Sequence, residues 1–152
     1  MSAAPPLPPP DRTALRLGYA GLVPFVACAL FVWLLPQRPS EHAFVADAMA
    51  KYAALVASFL GGVHWGLGML RPAATTPAAA PFAWGVVPAV LGWSAALMPP
   101  YAALPALGAL LVACYAVDRH LYPAHGLAAW LTLRFRLTAV ASLSCFLAAA
   151  GS

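Results

Sequence analysis

The stretch Tyr52-Ala53-Ala54-Leu55-Val56-Ala57-Ser58-Phe59-Leu60-Gly61-Gly62-Val63-His64-Trp65-Gly66-Leu67-Gly68 is apolar enough to cross a bilayer, yet it carries a serine, a histidine and four glycines. Glycine weakens a helix, and an imidazole is poorly solvated by hydrocarbon. A span built this way is expected to pack against other helices on more than one side. Ala54, Ser58, Gly62 and Gly66 recur every four residues, and Ala53, Ala57, Gly61 and Gly68 form a second line with His64 between its last two members. Two small faces predict two close neighbours, with Ser58, Gly61, Gly62 and Gly66 as packing positions.

Composition supports the same reading outward from this segment. Charged residues make up 8% of the 152-residue chain and hydrophobic ones 63%, with a mean hydropathy of +0.82. That leaves too little polar surface for a water-soluble domain. The expected fold class is all-α, a polytopic membrane helix bundle with five transmembrane helices over residues 14–152, preceded by a disordered proline-rich tail, residues 1–13. The apolar segments are Leu17–Leu35, Ala48–Leu70, Phe82–Met98 with Pro88 mid-span, Ala102–Val117, and Leu127–Ala150. Pro99 and Pro100 predict a tight hairpin between the third and fourth. In the fifth, counting back about 20 residues from the end of the chain brings Arg134 and Arg136 to an interface, with Trp130 in a lead-in turn at headgroup level. The first segment is longer than the apolar core of a signal peptide and reads as a retained span.

Charge sets the expected orientation. Arg12, Arg16, Arg71, Arg119, Arg134 and Arg136 fall on one side of a five-span chain, and only Arg38 and Lys51 on the other. The excess predicts a multi-pass protein with its N-terminus in the cytoplasm and its C-terminus outside, the matrix taking the place of the cytoplasm in an organelle. Basic residues scattered at segment ends are not a nucleic-acid footprint. Cys28, Cys114 and Cys145 lie in the apolar segments without a Cys-x-x-Cys pair, which predicts neither a disulfide nor a metal framework.

His64 supports two readings: a ligand, proton-transfer or quinone-hydrogen-bonding group, or a neutral imidazole tying two helices together through a hydroxyl or a kink-freed carbonyl. No second histidine lies mid-membrane, since His42, His120 and His125 fall in loops, so neither haem nor zinc nor any other cofactor is expected. In the last segment Arg134 shares a face with Thr138, Ala141, Cys145 and Ala148, whereas Arg136 shares one with Val140, Leu143 and Leu147. The small face should turn inward, which makes Asp118 the best available partner for Arg134 and leaves Arg136 to snorkel toward phosphates. His64, Trp65, Trp84, Asp118, Arg134 and Tyr19 all fall toward the cytoplasmic half and form the candidate pocket.

At these residues the chain resembles a known family: small bacterial membrane proteins of roughly this length classed as a domain of unknown function, with a counterpart among eukaryotic mitochondrial transmembrane proteins. The resemblance rests on Leu17-Gly18-Tyr19-Ala20-Gly21-Leu22-Val23-Pro24-Phe25, on Tyr52 to Gly66, on Trp84 to Trp93 around Pro88, and on Trp130, Leu133-Arg134 and Leu137-Thr138. It implies a five-span inner-membrane protein of unassigned activity. The tryptophan-rich sensory proteins also have five spans, but their aromatic and proline motifs are absent from this chain, and a shared architecture does not transfer function.

No His-Glu-x-x-His run and no Ser/His/Asp set at compatible depth is present, so an enzyme is the least favoured class. The sequence favours a non-enzymatic bundle that packs with, or assists, a membrane complex. The alternative is binding or transport of a small hydrophobic or anionic molecule in a cytoplasmic-side pocket around His64 and Arg134. Expected partners are the lipid bilayer and either another membrane protein or such a ligand.

Overall fold

A computed structural model of the chain describes residues 6–70 and 79–152; Arg71 lies outside the described residues. The described residues form six α-helices: α1 (Arg12–Ala20), α2 (Val23–Leu34), α3 (Pro39–Met69), α4 (Ala79–Ala96), α5 (Pro100–Leu121) and α6 (Leu131–Gly151), with short 3-10 turns at Pro123–His125 and Ala128–Trp130. Four segments are long and apolar enough to cross a membrane: Arg12–Leu34, Pro39–Met69, Pro100–Leu121 and Ala128–Gly151. The Ala80–Ala96 helix is apolar but shorter. The fold is a helical membrane bundle.

The first apolar segment is two helices rather than one. Asp11 caps α1 by accepting from the Ala14 N–H at 2.7 Å, and α1 ends in a turn at Gly21 and Leu22. Pro24 then sits in the first turn of α2, where its missing N–H leaves nothing unpaired. The Tyr52 hydroxyl of α3 donates to the Gly21 carbonyl at 2.9 Å and fixes the break. Helix α1 thus begins inside the stretch expected to be a tail. The described part of that tail is also anchored: the Leu7 N–H donates to the Gly126 carbonyl at 2.9 Å, and the Trp130 indole donates to the Pro8 carbonyl at 3.0 Å.

Helix α3 starts nine residues before the expected Ala48 because Pro39 and Glu41 make a favourable first turn, a proline where no donor is needed and a carboxylate at the positive end of the dipole. Its 31 residues span about 46 Å, so it overshoots a hydrocarbon layer of roughly 30 Å. Helix α4 keeps Pro88 inside and, joined to α5 through the Pro99-Pro100 corner, packs against it as the expected hairpin.

Helix α3 is the hub. It contacts α2, α4, α5 and α6, and the outer helices follow one another in the order α2, α6, α5, α4. Met49, Ala53, Ala57, Leu104, Leu107, Cys145 and Ala148 are fully buried between them. Leu55, Phe59, Trp93, Leu97, Leu143 and many other large apolar side chains are exposed on the outside, as lipid contact requires.

The α3–α4 seam is the tightest contact, and its period differs from the expected one. A Cβ on Gly61 would collide with the Gly85 carbonyl, one on Gly92 would lie 3.1 Å from the Ala54 carbonyl, and one on Gly68 would lie 2.9 Å from the Phe82 ring. Ala54, Gly61 and Gly68 repeat every seven residues against Gly85 and Gly92, which also repeat every seven. This is the seam of two helices packed antiparallel along a heptad-like stripe. Gly62 and Gly66, assigned to packing from the every-four spacing, have nothing within 4 Å of a Cβ. Four-residue steps drift around a 3.6-residue helix, so that line of small residues leaves the helix–helix contact before it reaches them.

Candidate functional site

Three side chains from three helices meet at the end of the bundle where α3 and α5 finish and α6 begins. His64 Nε2 lies 2.9 Å from Asp118 Oδ1. Arg134 donates to the other oxygen, Oδ2, from Nε at 2.8 Å and also from Nη2. His64 and Asp118 are each only 2% exposed, whereas the Arg134 side chain is 12% exposed. With a neutral imidazole donating from Nε2, the cluster carries no net charge, and both carboxylate oxygens are filled. A buried ion pair requires that satisfaction to be tolerated at all.

Helix dipoles do not explain the cluster. Asp118 sits in the last turn of α5 and Arg134 in the first turn of α6, so each charge occupies the unfavourable end of its own helix, at a cost of about 0.3–1 kcal/mol apiece. Their mutual contact offsets it. The α5–α6 connection aligns them: the 3-10 turn at Pro123–His125 ends at Gly126, whose φ of 73° reverses the chain. Tyr122, just past the end of the α5 span, stacks obliquely near His64 with ring centroids 6.4 Å apart. Burial first, and the Asp118 carboxylate second, push its phenol up to about 12, so it remains a neutral hydroxyl under physiological conditions.

Beside the cluster lies a cavity of about 820 Å³ walled by α1, α2, α3 and α6 together with Leu111 of α5, Tyr122, Leu127 and Trp130. This is within the range of roughly 300–1,000 Å³ typical of small-molecule sites. Its walls are aliphatic and aromatic, including Phe25, Leu60, Leu111 and Leu137, with Arg134 the one charged side chain among the described lining residues. Gly66 lies on its wall, so the open space at that glycine is cavity. Exposed Leu17, Leu55, Phe59 and Leu70 line its outer edge, where α1 and α3 stand apart.

Of the six candidate pocket residues, the structure brings His64, Asp118 and Arg134 into one cluster. Tyr19 is turned outward, 40% exposed, with Arg136 Nη1 3.4 Å from its hydroxyl. It shares an end of the bundle with the cluster but points away from it around α1. Trp65 faces α4: its indole donates to the Phe82 carbonyl at 3.0 Å and its ring crosses the Phe82 ring edge-on at 5.3 Å. Trp84 lies on α4, which contributes nothing to the cavity wall, and its buried indole nitrogen has no partner among the described residues. Tyr52, Tyr122 and Thr138 line the cavity without having been singled out for it. Thr138 had a signal in its place on the inward face with Arg134, and Tyr52 only in being a polar side chain in an apolar helix. Among the described residues no three His, Cys, Asp or Glu side chains converge as a metal site requires.

Residues 10–150 match the family described as Protein of unknown function (DUF3429), and the chain belongs to that family. It is also similar to Transmembrane protein 69 of Xenopus tropicalis, 38% identical over 86 residues. That alignment covers 57% of this chain and 33% of the relative, so the matching segment spans about a third of the relative's length. No solved structure matches the chain. It is a multi-pass membrane protein of unassigned activity.

Proposed function

We propose that this protein binds a small hydrophobic molecule in the cavity beside Arg134, within the cytoplasmic half of a bacterial inner membrane, with its N-terminus inside and its C-terminus outside. The orientation rests on the arginines. Arg12, Arg16, Arg119, Arg134 and Arg136 belong to the end of the bundle where Trp130 meets Pro8, and Arg38 to the end where His42 Nε2 lies 2.9 Å from the Gly151 carbonyl.

The observation that carries the ligand reading is the cavity itself, apolar-walled with a single charged group. A tightly packed bundle needs no such space, and interiors are ordinarily close-packed. The other reading, a scaffold that packs with a membrane complex, draws on the small-residue faces. These have less to offer a partner when Gly61, Gly85 and Gly92 are already engaged within the chain.

Native mass spectrometry after extraction in mild detergent tests the proposal. Wild type should retain a hydrophobic adduct. Gly66→Leu, whose Cβ has open space around it on the cavity wall, should lose it with its melting temperature unchanged or raised. Gly62→Leu, also open but off the cavity wall, should keep it. An adduct indifferent to Gly66→Leu, or none in wild type, would leave the scaffold reading in its place.

A further inference from the structure

The cavity has a direction, and its chemistry changes once along it. Arg134 lies at the level of His64, and from there α3 runs twelve residues to Tyr52, a further 18 Å or so at about 1.5 Å per residue. Over that length the described α3 side chains on the wall, Leu55, Val56, Phe59, Leu60 and Val63, are apolar. Tyr52 at the far end already donates its hydroxyl to Gly21. An occupant therefore meets one ionic group, with this long apolar wall on its Tyr52 side and the shorter stretch of Gly66, Leu67 and Leu70 on the other.

The ionic group is cationic toward the cavity. Asp118 and His64 do not line it and are buried behind Arg134, so no carboxylate confronts an occupant. Asp118 takes Nε and one Nη2 hydrogen of the guanidinium, and the Tyr122 hydroxyl on the same wall engages the guanidinium as well. A guanidinium has five donors in a planar fork, and those left over suit a carboxylate or phosphate oxygen. Entry is lateral, because the lining residues Leu17, Leu55, Phe59 and Leu70 are exposed where α1 and α3 diverge, on a surface that faces lipid.

We propose that the occupant is an anionic amphiphile from the surrounding leaflet, with its head oxygens on Arg134 and its hydrocarbon chain along α3 toward Tyr52. His64 and Asp118 act as positioning residues that hold the guanidinium fork toward the cavity. This assignment rests on the binding reading above and adds the class of ligand.

The test uses wild type in phosphatidylcholine nanodiscs and compares oleate with oleyl alcohol, which has the same chain and no charge. Phosphatidylglycerol nanodiscs form a second arm, in which a phospholipid serving as the native anion should compete oleate away; without competition the source is the free carboxylate. Oleate should bind about tenfold or more tightly than oleyl alcohol, the effect of a charge-assisted hydrogen bond. The double variant Asp118→Asn/Arg134→Gln leaves no bare buried charge, and its affinity for the two probes should be equal while oleyl alcohol binding is retained. Equal affinities in wild type would overturn the anionic class while leaving an apolar-ligand cavity standing. Binding of neither probe, or binding unchanged by Gly66→Leu, would overturn the cavity reading and the ligand class with it.

Discussion

Replacing Asp118 with asparagine should be among the most damaging single changes in this chain. The substitution preserves shape but leaves the Arg134 guanidinium without a counter-charge and hands His64 an amide. Removing one partner of a buried pair costs about 3–5 kcal/mol. Arg134 is 12% exposed and near a helix end, so part of its charge can move toward headgroups, which places the expected loss near the lower limit, about 3 kcal/mol. For a chain of this size that corresponds to a melting temperature lower by roughly 6–12 °C. The assay is thermal unfolding in detergent followed by circular dichroism for wild type, Asp118→Asn, Arg134→Gln and the double variant. The double variant should recover most of the loss, since replacing both members of a buried pair by neutral groups is often close to neutral. Asp118→Asn melting with wild type, or a double variant no better than either single one, would refute the claim that the two charges are coupled and buried.

Two neighbouring glycines should behave oppositely. Gly61→Ala drives a methyl into the Gly85 backbone carbonyl, which cannot rotate away; the helices must separate, and a loss of about 1–3 kcal/mol should outweigh the gain in helix propensity. Gly62→Ala meets nothing and should raise stability by about 0.5–1 kcal/mol in the same melts. Tyr52→Phe removes the hydroxyl that holds the Gly21 carbonyl, so about 1 kcal/mol should be lost, together with faster amide exchange around Gly21 to Phe25 by mass spectrometry.

The faces of α6 were legible because small and large residues separate there cleanly. Thr138, Ala141, Cys145 and Ala148 are buried, while Val140, Leu143 and Leu147 are exposed. The same periodicity turned Arg134 inward and left Asp118 as the nearby carboxylate. The packing of α3 was harder to read because glycine and alanine are so frequent in it that several periods fit. The seven-residue stripe was distinguishable only through Gly85 and Gly92 on α4, a relation between helices rather than within one. Gly62 and Gly66 mislead for a further reason: a small residue in a membrane helix can admit another backbone or simply leave room, and sequence does not separate the two. Trp65 and Trp84 were placed at the right end of the bundle, but the side of the helix on which each ring lies depends on the rotation of α4 about α3. The cavity itself left no motif, because it arises from the break at Gly21 and Leu22 and from the divergence of α1 from α3.

The most direct measurement is the set of nuclear Overhauser contacts between the alkyl protons of bound oleate and the methyl groups of isotopically labelled protein in nanodiscs. A chain lying in the cavity should give contacts to Leu60, Val63, Leu111 and Leu137 on its wall, weakened by Gly66→Leu. Contacts confined to Val140 and Leu143, which are exposed on the outer face of α6, would show a chain that only coats the bundle and would contradict it.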